Sequence, residues 1–242
     1  MCVASGNDDS ALGDAVGSLW QDFMGNNDEI IDKWRHYFPT YERYLSPWID
    51  RGVTMLEIGV SKGGSLKMWQ RYLGPYATII GIDIDPSCAK FESPGIHVRI
   101  GDQSDTGFLA RVIDEFGVPD IVLDDGSHHM DHVIPTFEFL YPQMTQNAVY
   151  IVEDLHTAYL KEYGGGTTSE RNFLIYARKA IDQMNRHWSL DDVAVDPVFD
   201  NTRSIGFYDS LVCFEKGRPP VLDAAQVGRR GLTAQLRHRH FI

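Results

Sequence analysis

Most of the side chains that could do chemistry stand in two short segments of the chain. Residues 124–129 read DDGSHH, and residues 153–156 read EDLH. Each segment follows a short apolar run, IVL at 121–123 and AVYIV at 148–152, which is typical of a buried parallel strand. Ligands of parallel sheets bind outside the carboxyl ends of the strands. We therefore expect both segments to lie on the functional edge of one sheet.

Three carboxylates in these segments are candidate ligands for a metal ion: Asp125, Glu153 and Asp154. Neighbouring parallel strands lie roughly 4.8 Å apart, so the three groups converge if the two strands are adjacent. Carboxylates held together repel one another unless they share a proton or a cation. An all-oxygen ligand set suits Mg²⁺, which also keeps positions for substrate oxygens. Helix capping explains any one of these acids, but it explains three of them poorly.

The histidines beside these acids allow two interpretations. A cation lowers the pKa of a hydroxyl bound to it, and a neutral imidazole nearby can then accept the proton. His128, three residues after Asp125, is the best-placed base, with His129 and His156 as alternatives. The rival is an iron site of two histidines and one carboxylate, built from His128 or His129, His132 and an acid. We rank it second, because His128 and His132 on one helix would point away from the second acidic segment.

A glycine-rich turn at residues 53–65 (VTMLEIGVSKGGS) is the candidate cofactor site. An apolar run leads into Gly59 and Gly63, which let the backbone turn tightly and approach a ligand closely. The spacing has neither the Lys-Ser/Thr of a phosphate-binding loop nor the GxGxxG of a dinucleotide fold. Glu57 stands where a pyrophosphate would bind, which favours a cationic ligand such as S-adenosylmethionine (SAM). By itself, the turn is also compatible with any strand-to-helix turn of a doubly wound domain.

Two further strand ends carry polar side chains that could bind the same cofactor. The apolar run 78–83 (TIIGID) ends in Asp83, which can accept hydrogen bonds from both ribose hydroxyls. Asp85 is the runner-up, because the proline after it is typical of a helix start. Asp102 and Gln103 follow the next strand-like run (HVRI) and could bind the adenine amino edge, although turn and cap chemistry explains them equally well.

The order of these patterns predicts the fold class. Strand-like runs alternate with helical spacing, which implies an α/β doubly wound, mostly parallel sheet with right-handed crossovers. Two further runs, 203–208 and 211–216, predict an antiparallel hairpin that closes the sheet. Helices are expected at 65–73, 107–116, 130–141 and 169–188, the last capped at Ser169 with Glu170 in its first turn.

Three segments flank or interrupt this pattern. Residues 28–50 carry aromatic side chains at roughly helical intervals, and they form either a pair of short helices packed on the domain or an aromatic flap over the cofactor. Residues 157–168 form a Gly/Thr-rich loop, a candidate substrate lid. The segment from 217 is basic, and we expect a solvated tail or an oligomer arm. The expected organisation is a helical lead-in or cap at 1–50, a cofactor-binding domain at 51–216 and a basic tail at 217–242.

Composition and charge narrow the class of protein. The chain has 242 residues, of which 43% are hydrophobic and 23% charged, enough for one sizeable core. It has neither an apolar run long enough to span a membrane nor the pattern of a secretory signal, and its three scattered cysteines argue against a disulfide framework. We therefore expect a cytoplasmic protein. The net charge of −12 makes nucleic acid a poor partner and favours a small or neutral acceptor.

Together, the motifs carry a family resemblance. The segments LEIGVSKGGSLKMW, GIDID, GDQSD, VLDDGSHH and IVEDLH, preceded by DKWRHYFPTYERYL, resemble the Mg²⁺-dependent, SAM-dependent sugar O-methyltransferases of macrolide biosynthesis, of the mycinamicin and macrocin type. The resemblance covers roughly residues 32 to 160, and DDGSHH with VEDLH is its most specific part. It implies a class I methyltransferase fold with a seven-stranded sheet, in which residues 51–216 form the methyltransferase domain.

The resemblance also implies roles for individual residues. It implies metal ligation by Asp125, Glu153 and Asp154, with His128 as the general base. The SAM contacts that it implies come from Glu57, Gly59, Ser61, Gly63, Ser65, Asp83, Asp102, Gln103 and Asp125. The acceptor would be a hydroxyl of a sugar on a glycosylated natural product, and the enzyme would be a homo-oligomer.

Three alternatives stay open at the level of sequence. The acceptor hydroxyl could belong to a phenolic or catechol ring, because no residue identifies it. Related proteins named cephalosporin hydroxylases share similar motifs, so hydroxylation is a second alternative. The third is a SAM-binding protein without turnover. The intact acid set and His128 disfavour it, because a pure binding module has no need for clustered carboxylates.

Overall fold

A seven-stranded sheet organises the computed structural model, which describes residues 17–169, 171–189 and 193–217. The strands are β1 (Thr54–Ile58), β2 (Thr78–Asp83), β3 (Ile96–Ile100), β4 (Ile121–Asp124), β5 (Val149–Val152), β6 (Thr202–Tyr208) and β7 (Leu211–Lys216). Their order is β3-β2-β1-β4-β5-β7-β6. The first five strands run parallel, while β7 pairs antiparallel with both β5 and β6. The prediction of a doubly wound, mostly parallel sheet closed by an antiparallel hairpin is confirmed.

Seven α-helices and several short 3₁₀ turns connect these strands. The helices are α1 (Ser18–Met24), α2 (Phe38–Leu45), α3 (Gly64–Leu73), α4 (Thr106–Phe116), α5 (Met130–Gln143), α6 (Phe173–Ala177) and α7 (Lys179–Asn185) within the described ranges. The 3₁₀ turns are Arg35–Tyr37, Ser46–Trp48, Pro86–Phe91, Leu155–Tyr159, Lys161–Tyr163 and Arg186–Trp188. Helices α3, α4 and α5 are the crossovers from β1 to β2, from β3 to β4 and from β4 to β5, which allow these strands to run parallel. In the part of the chain that the structure describes, no helix combines the length and the apolar character needed to cross a membrane.

Both faces of the sheet are buried, which explains why its central strands are apolar without interruption. Successive side chains of a strand point to opposite faces, so Leu56 packs in one core cluster with Phe137, and Met55 packs in the other with Trp69. The second cluster includes Tyr41 of α2. The segment 28–50 therefore contributes to the core of the sheet domain, while its residues 30–34 line the cavity at the acidic cluster, so the structure is compatible with both interpretations of the segment.

The prediction of one long helix at 169–188 is wrong, because the first helix begins later than predicted and a second helix follows it. Helix α6 begins at Phe173, because Asn172 accepts hydrogen bonds from the N–H groups of Leu174 (2.8 Å) and Ile175 (3.4 Å) and thereby caps it. The buried Asn172 amide also donates to the carbonyl of Ala158 at 2.7 Å, which fixes the cap in place. Helix α7 follows after a break, and Glu170 lies outside the described residues. Most of the predicted basic tail, residues 218–242, also lies outside them.

Candidate active site

The two acidic segments meet at the carboxyl edge of the sheet because β4 and β5 are neighbours. Asp124 pairs in register with Val152, so Asp125 and Glu153 are the first residues after two adjacent strand ends. Backbone hydrogen bonds hold both residues in position: the N–H of Asp125 donates to the carbonyl of Ile58, and the N–H of Glu153 donates to the carbonyl of Asp124, each at 2.9 Å. The adjacency on which the predicted metal site depends is therefore present.

An imidazole lies between two of the carboxylates. The Nε2 atom of His128 is 3.9 Å from Oδ1 of Asp125 and 3.9 Å from Oδ2 of Asp154. Both His128 (φ 59°) and Asp154 (φ 55°) have left-handed backbone conformations, which few non-glycine residues adopt and which cluster at functional sites. The hydroxyl of Tyr37 donates to Asp154 at 2.7 Å and orients its carboxylate.

The donor set of this cluster fits a divalent cation. One ligand atom from each of Asp125, His128 and Asp154 lies within 4.8 Å of the others. The two carboxylates offer the hard oxygen atoms that Mg²⁺ prefers. Glu153 adjoins this set, but it is almost completely buried, whereas the other members are partly accessible.

Lys33 is a site residue that the sequence did not reveal. Its ammonium lies 2.5 Å from Asp125 Oδ2, 3.0 and 3.1 Å from the two oxygens of Glu153, and 3.6 Å from Glu57 Oε1. Its side chain is 3% exposed. Burial alone would lower the pKa of Lys33, but the surrounding carboxylates hold it well above its ordinary value, so the group is a cation. A lysine within an aromatic, helical pattern carries no sequence signal for this position.

Glu57 lies behind the wall of the site instead of on it. Its carboxylate is fully buried and accepts hydrogen bonds from Ser65 Oγ at 2.8 Å and Trp69 Nε1 at 3.0 Å. Burial raises its pKa, and Lys33 opposes the shift. Glu57 thus fastens the start of α3 to the end of β1. A direct contact with SAM stays a prediction for Glu57, whereas Ser65 does line the cavity described next.

Two connected cavities lie above the ends of β1, β2 and β4. One of about 170 Å³ reaches Asp102 and Gln103, and another of about 390 Å³ reaches the acidic cluster. Gly59, Asp83 and Gly126 line both cavities. Together they form one continuous depression from the third strand end to the fifth.

The glycine turn and Asp83 shape the middle of this depression. Gly59 has φ 95°, and a Cβ atom there would come within 2.2 Å of the Asp125 carbonyl, so the close approach of the two loops requires glycine. Asp83 Oδ2 accepts hydrogen bonds from the N–H groups of Val60 and Ser61, both at 2.9 Å. Ser61 and Lys62 complete this part of the wall, while Gly63 begins α3 with φ 79°.

Asp85 takes the capping role that the sequence suggested for it. Its carboxylate accepts a hydrogen bond from the N–H of Ser87 at 2.8 Å and caps the turn Pro86–Phe91. Asp85 is absent from the lining of both cavities, whereas Asp83 lines each of them. The geometry thus favours Asp83 over Asp85 as the ribose ligand, an assignment that stays a prediction.

Asp102 and Gln103 line the smaller cavity and also hold its loops. Asp102 accepts hydrogen bonds from the N–H and the hydroxyl of Ser104, both at 2.8 Å. Gln103 accepts from the N–H of Ser127 at 2.7 Å and donates to Asp124 at 3.1 Å. Burial raises the pKa of Asp124 to about 7. Both interpretations from the sequence, ligand contact and turn chemistry, are therefore compatible with the geometry.

Of the other histidines considered as bases or iron ligands, His129 and His132 make their contacts elsewhere, whereas His156 lies beside Asp154, with its Nδ1 atom 4.0 Å from Asp154 Oδ1. His132 contacts Ser127 Oγ at 3.0 Å, and the ring of His129 packs 5.0 Å from that of Tyr163. His156 contacts Ser210 Oγ at 2.8 Å. Within the described ranges, the group of possible ligand atoms contains a single imidazole, that of His128. The arrangement does not assemble the two-histidine iron site.

Comparisons with known proteins agree with this geometry. No protein-family model matches the chain. The 8-demethyl-8-alpha-L-rhamnosyl tetracenomycin-C 2'-O-methyltransferase of Streptomyces olivaceus is 34% identical over 198 residues, which are 76% of this chain and 52% of that protein. The 3'-O-methyltransferase that acts on the corresponding 2-methoxy-rhamnosyl compound in the same organism is 36% identical over 203 residues, 77% of this chain and 51% of its own length.

A solved structure gives the same result. The MycE methyltransferase of the mycinamycin pathway, in complex with Mg, SAH and mycinamycin VI, is 31% identical with a TM-score of 0.72, over 78% of this chain and 50% of that one. The chain thus spans about half the length of the relatives that it matches. Over the segment that aligns, it belongs to the family of these sugar O-methyltransferases.

Proposed function

We propose that this chain transfers a methyl group from SAM to a hydroxyl of a sugar on a glycosylated natural product. One observation carries the proposal: His128 Nε2 lies between Asp125 and Asp154 on the wall of the cavity that also contains the glycine turn. A proton acceptor, carboxylates for a cation and a cofactor turn therefore face one space. The relatives named above act on the sugars of natural products, which supports a sugar as the acceptor.

The depression above the first strands has the features that a SAM site needs. Asp83 and Asp102 place carboxylates at two strand ends, where ribose and amino groups can donate hydrogen bonds. The cavity-lining residues that we assign to SAM are Gly59, Ser61, Ser65, Asp83, Asp102, Gln103 and Asp125. We also assign Gly63, which shapes the turn before α3, and Glu57, which lies behind the cavity wall. The acidic wall of the cavity suits the cationic sulfonium and amino groups of this cofactor.

We assign Mg²⁺ to Asp125 and Asp154, which belong to one group of possible ligand atoms, with Glu153 as a third ligand whose two oxygens the Lys33 ammonium contacts in this structure. A divalent cation bound there supplies Lewis-acid polarisation, which lowers the pKa of an alcohol hydroxyl in contact with it. Lys33 keeps the buried Glu153 carboxylate paired and oriented. The hydroxyl of Tyr37 donates a hydrogen bond to Asp154 and orients that carboxylate.

We assign to His128 the role of accepting the proton that the acceptor hydroxyl must lose. The bond between the methyl carbon and the sulfonium sulfur breaks as a bond from that carbon to the hydroxyl oxygen forms. The sulfur keeps the electron pair, and the proton passes to Nε2 of His128 and later to solvent. The products are a methyl ether and S-adenosylhomocysteine. Asp125 and Asp154, each 3.9 Å from Nε2, stabilise the imidazolium that results.

Mass spectrometry of acceptor panels tests the proposal. The full chain is incubated with SAM, Mg²⁺ and a set of L-rhamnosides, other glycosides and a catechol. A mass gain of one methylene unit on a glycoside, with release of S-adenosylhomocysteine, is the expected result. Methylation of the catechol alone would contradict a sugar acceptor. Light scattering on the same sample tests the expected homo-oligomer.

A further inference from the structure

A groove of about 800 Å³ opens beside the acidic edge, outside the depression assigned to SAM. Four elements form it: the turn Leu155–Tyr159, helix α6, helix α7, and the end of β6 with the turn that follows it. It is about twice the size of the cavity at the acidic cluster, which measures about 390 Å³. The groove is therefore large enough for a group bigger than a single sugar.

Large apolar side chains line this groove and face solvent. Tyr159 is 58% exposed, Ile181 43% and Phe207 44%. Single exposed apolar residues are ordinary on protein surfaces, but these three come from three different elements and share one concave surface. The lining also includes the charged side chains of Arg178, Asp182 and Asp209, and a pocket that combines apolar surface with a few polar groups is typical of a small-molecule site.

The groove lies beside the predicted metal ligands, although it shares no lining residue with the cavity that contains them. Leu155 and His156 line it and follow Asp154 in the chain. The Nδ1 atom of His156 lies 4.0 Å from Asp154 Oδ1 and 2.8 Å from Ser210 Oγ, and Ser210 lines the groove as well. A molecule whose hydroxyl reaches Asp154 from the side of His156 thus has its remaining part beside the apolar surface.

We propose that the groove binds the apolar aglycone of the glycoside acceptor, and that Ile181 and Phe207 are specificity-determining residues. The inference rests on the proposed function, because it places the sugar at Asp154. A small molecule suits this position better than a protein segment does. A segment that filled the groove would also cover His156 and the open side of Asp154, and would thereby obstruct the site.

Calorimetry with a matched pair of glycosides tests the inference. The probes are 2-naphthyl α-L-rhamnopyranoside and methyl α-L-rhamnopyranoside, titrated into the full chain with Mg²⁺ and S-adenosylhomocysteine. We expect the naphthyl glycoside to bind at least about tenfold more tightly than the methyl glycoside, a difference of about 1.4 kcal/mol. Ile181→Asp and Phe207→Thr should each remove most of this difference and leave the affinity for the methyl glycoside unchanged.

Val195→Asp is the matched control for Ile181→Asp. Val195 is also exposed, at 55%, and is absent from the groove lining, so the variant adds the same charge elsewhere on the surface. It should bind both probes like the unmodified chain. An equal preference for the naphthyl glycoside in Ile181→Asp and Val195→Asp would overturn the inference. A second result would also overturn the inference: the Ile181→Asp variant dissociates from an oligomer but still binds the naphthyl glycoside more tightly than the methyl glycoside. The groove would then be a contact between copies of the chain.

Free 2-naphthol separates failure of the inference from failure of the proposed function. If neither glycoside is methylated, but 2-naphthol binds and Ile181→Asp abolishes that binding, the apolar subsite is supported and the sugar acceptor is wrong. If a rhamnoside is methylated and 2-naphthol binds the unmodified chain and Ile181→Asp equally, the function stands and the groove assignment is overturned.

Discussion

The ammonium of Lys33 lies 3.0 and 3.1 Å from the two carboxylate oxygens of Glu153, where solvent barely reaches. The same ammonium contacts Asp125, so one lysine links the ends of β4 and β5. Lys33 belongs to a segment that also crosses the cofactor turn: a Cβ atom on Gly64 would lie 2.3 Å from the Glu29 carbonyl. The chain before β1 is therefore a structural part of the active site.

Lys33→Met tests this relationship. Removal of one partner leaves buried carboxylates without compensation, which typically costs about 3 to 5 kcal/mol. We expect the free energy of unfolding to fall by that amount without metal, and excess Mg²⁺ to recover part of it by restoring positive charge. Denaturant titrations with and without Mg²⁺ measure both effects.

Lys67→Met provides the comparison for this variant. Lys67 pairs with Glu29 on the exposed surface, and surface ion pairs contribute little to stability. The variant should unfold almost like the unmodified chain and should respond to Mg²⁺ in the same way. Equal stability of the two lysine variants would show that the ammonium of Lys33 does not compensate the buried acids.

Removal of the cation should abolish methyl transfer, and Asp154→Asn should weaken cation binding. Asparagine tolerates the left-handed conformation of residue 154 (φ 55°), so the loop should keep its shape. We expect at least about a tenfold loss of affinity for Mn²⁺ or Mg²⁺, equivalent to about 1.4 kcal/mol. Calorimetry measures the affinity, and Asp209→Asn, an exposed acid nearby, should leave it unchanged. Full activity in the presence of a chelator would contradict the metal site.

Much of this fold follows from local pattern, because its strands are buried on both faces. Leu56 and Met55 both need apolar surroundings on opposite sides of the sheet, so the run around them identifies β1 without further information. The hairpin of β6 and β7 follows from two strand-like runs that a two-residue turn separates. The start of α6 could not be predicted in this way, because Asn172 is fixed by the carbonyl of Ala158, a contact across the fold.

The residues of the candidate site form the same two groups: some could be predicted from local sequence pattern, and others depend on tertiary contacts. Asp125 and Glu153 could be placed because they follow strands whose carboxyl ends share one edge. Lys33 could not, because it reaches these acids from 92 and 120 residues away. The buried position of the Glu57 carboxylate likewise depends on Trp69 of α3, whose Nε1 atom donates a hydrogen bond to it. Side-chain direction in such contacts is a tertiary property that spacing does not contain.

Asp83→Ala should weaken the binding of S-adenosylhomocysteine. The variant loses the ribose hydrogen bonds, each worth about 0.5 to 1.5 kcal/mol net, and releases the N–H groups of Val60 and Ser61 that shape the glycine turn. Asp85→Ala, which removes only the cap of the turn Pro86–Phe91, should bind the product normally. Calorimetry on both variants decides between the two acids. Stronger loss in Asp85→Ala would reverse the assignment.

His128→Asn isolates the proposed base from the backbone conformation that carries it. Residue 128 has φ 59°, and asparagine adopts this region more readily than alanine, so the loop should fold as before. General-base catalysis typically contributes about 10²- to 10⁴-fold. We therefore expect the rate of methyl transfer in a single turnover to fall by that factor, while the affinity for S-adenosylhomocysteine and the melting temperature stay close to those of the unmodified chain.

His128→Ala completes this experiment. Alanine removes the imidazole and is also strained at φ 59°, so this variant should lose stability as well as rate. If His128 only shapes the turn before α5, the asparagine variant should transfer methyl groups at the normal rate per folded molecule, and only the alanine variant should melt early. Slow transfer in both variants, with normal melting for asparagine, instead assigns proton acceptance to the imidazole between Asp125 and Asp154.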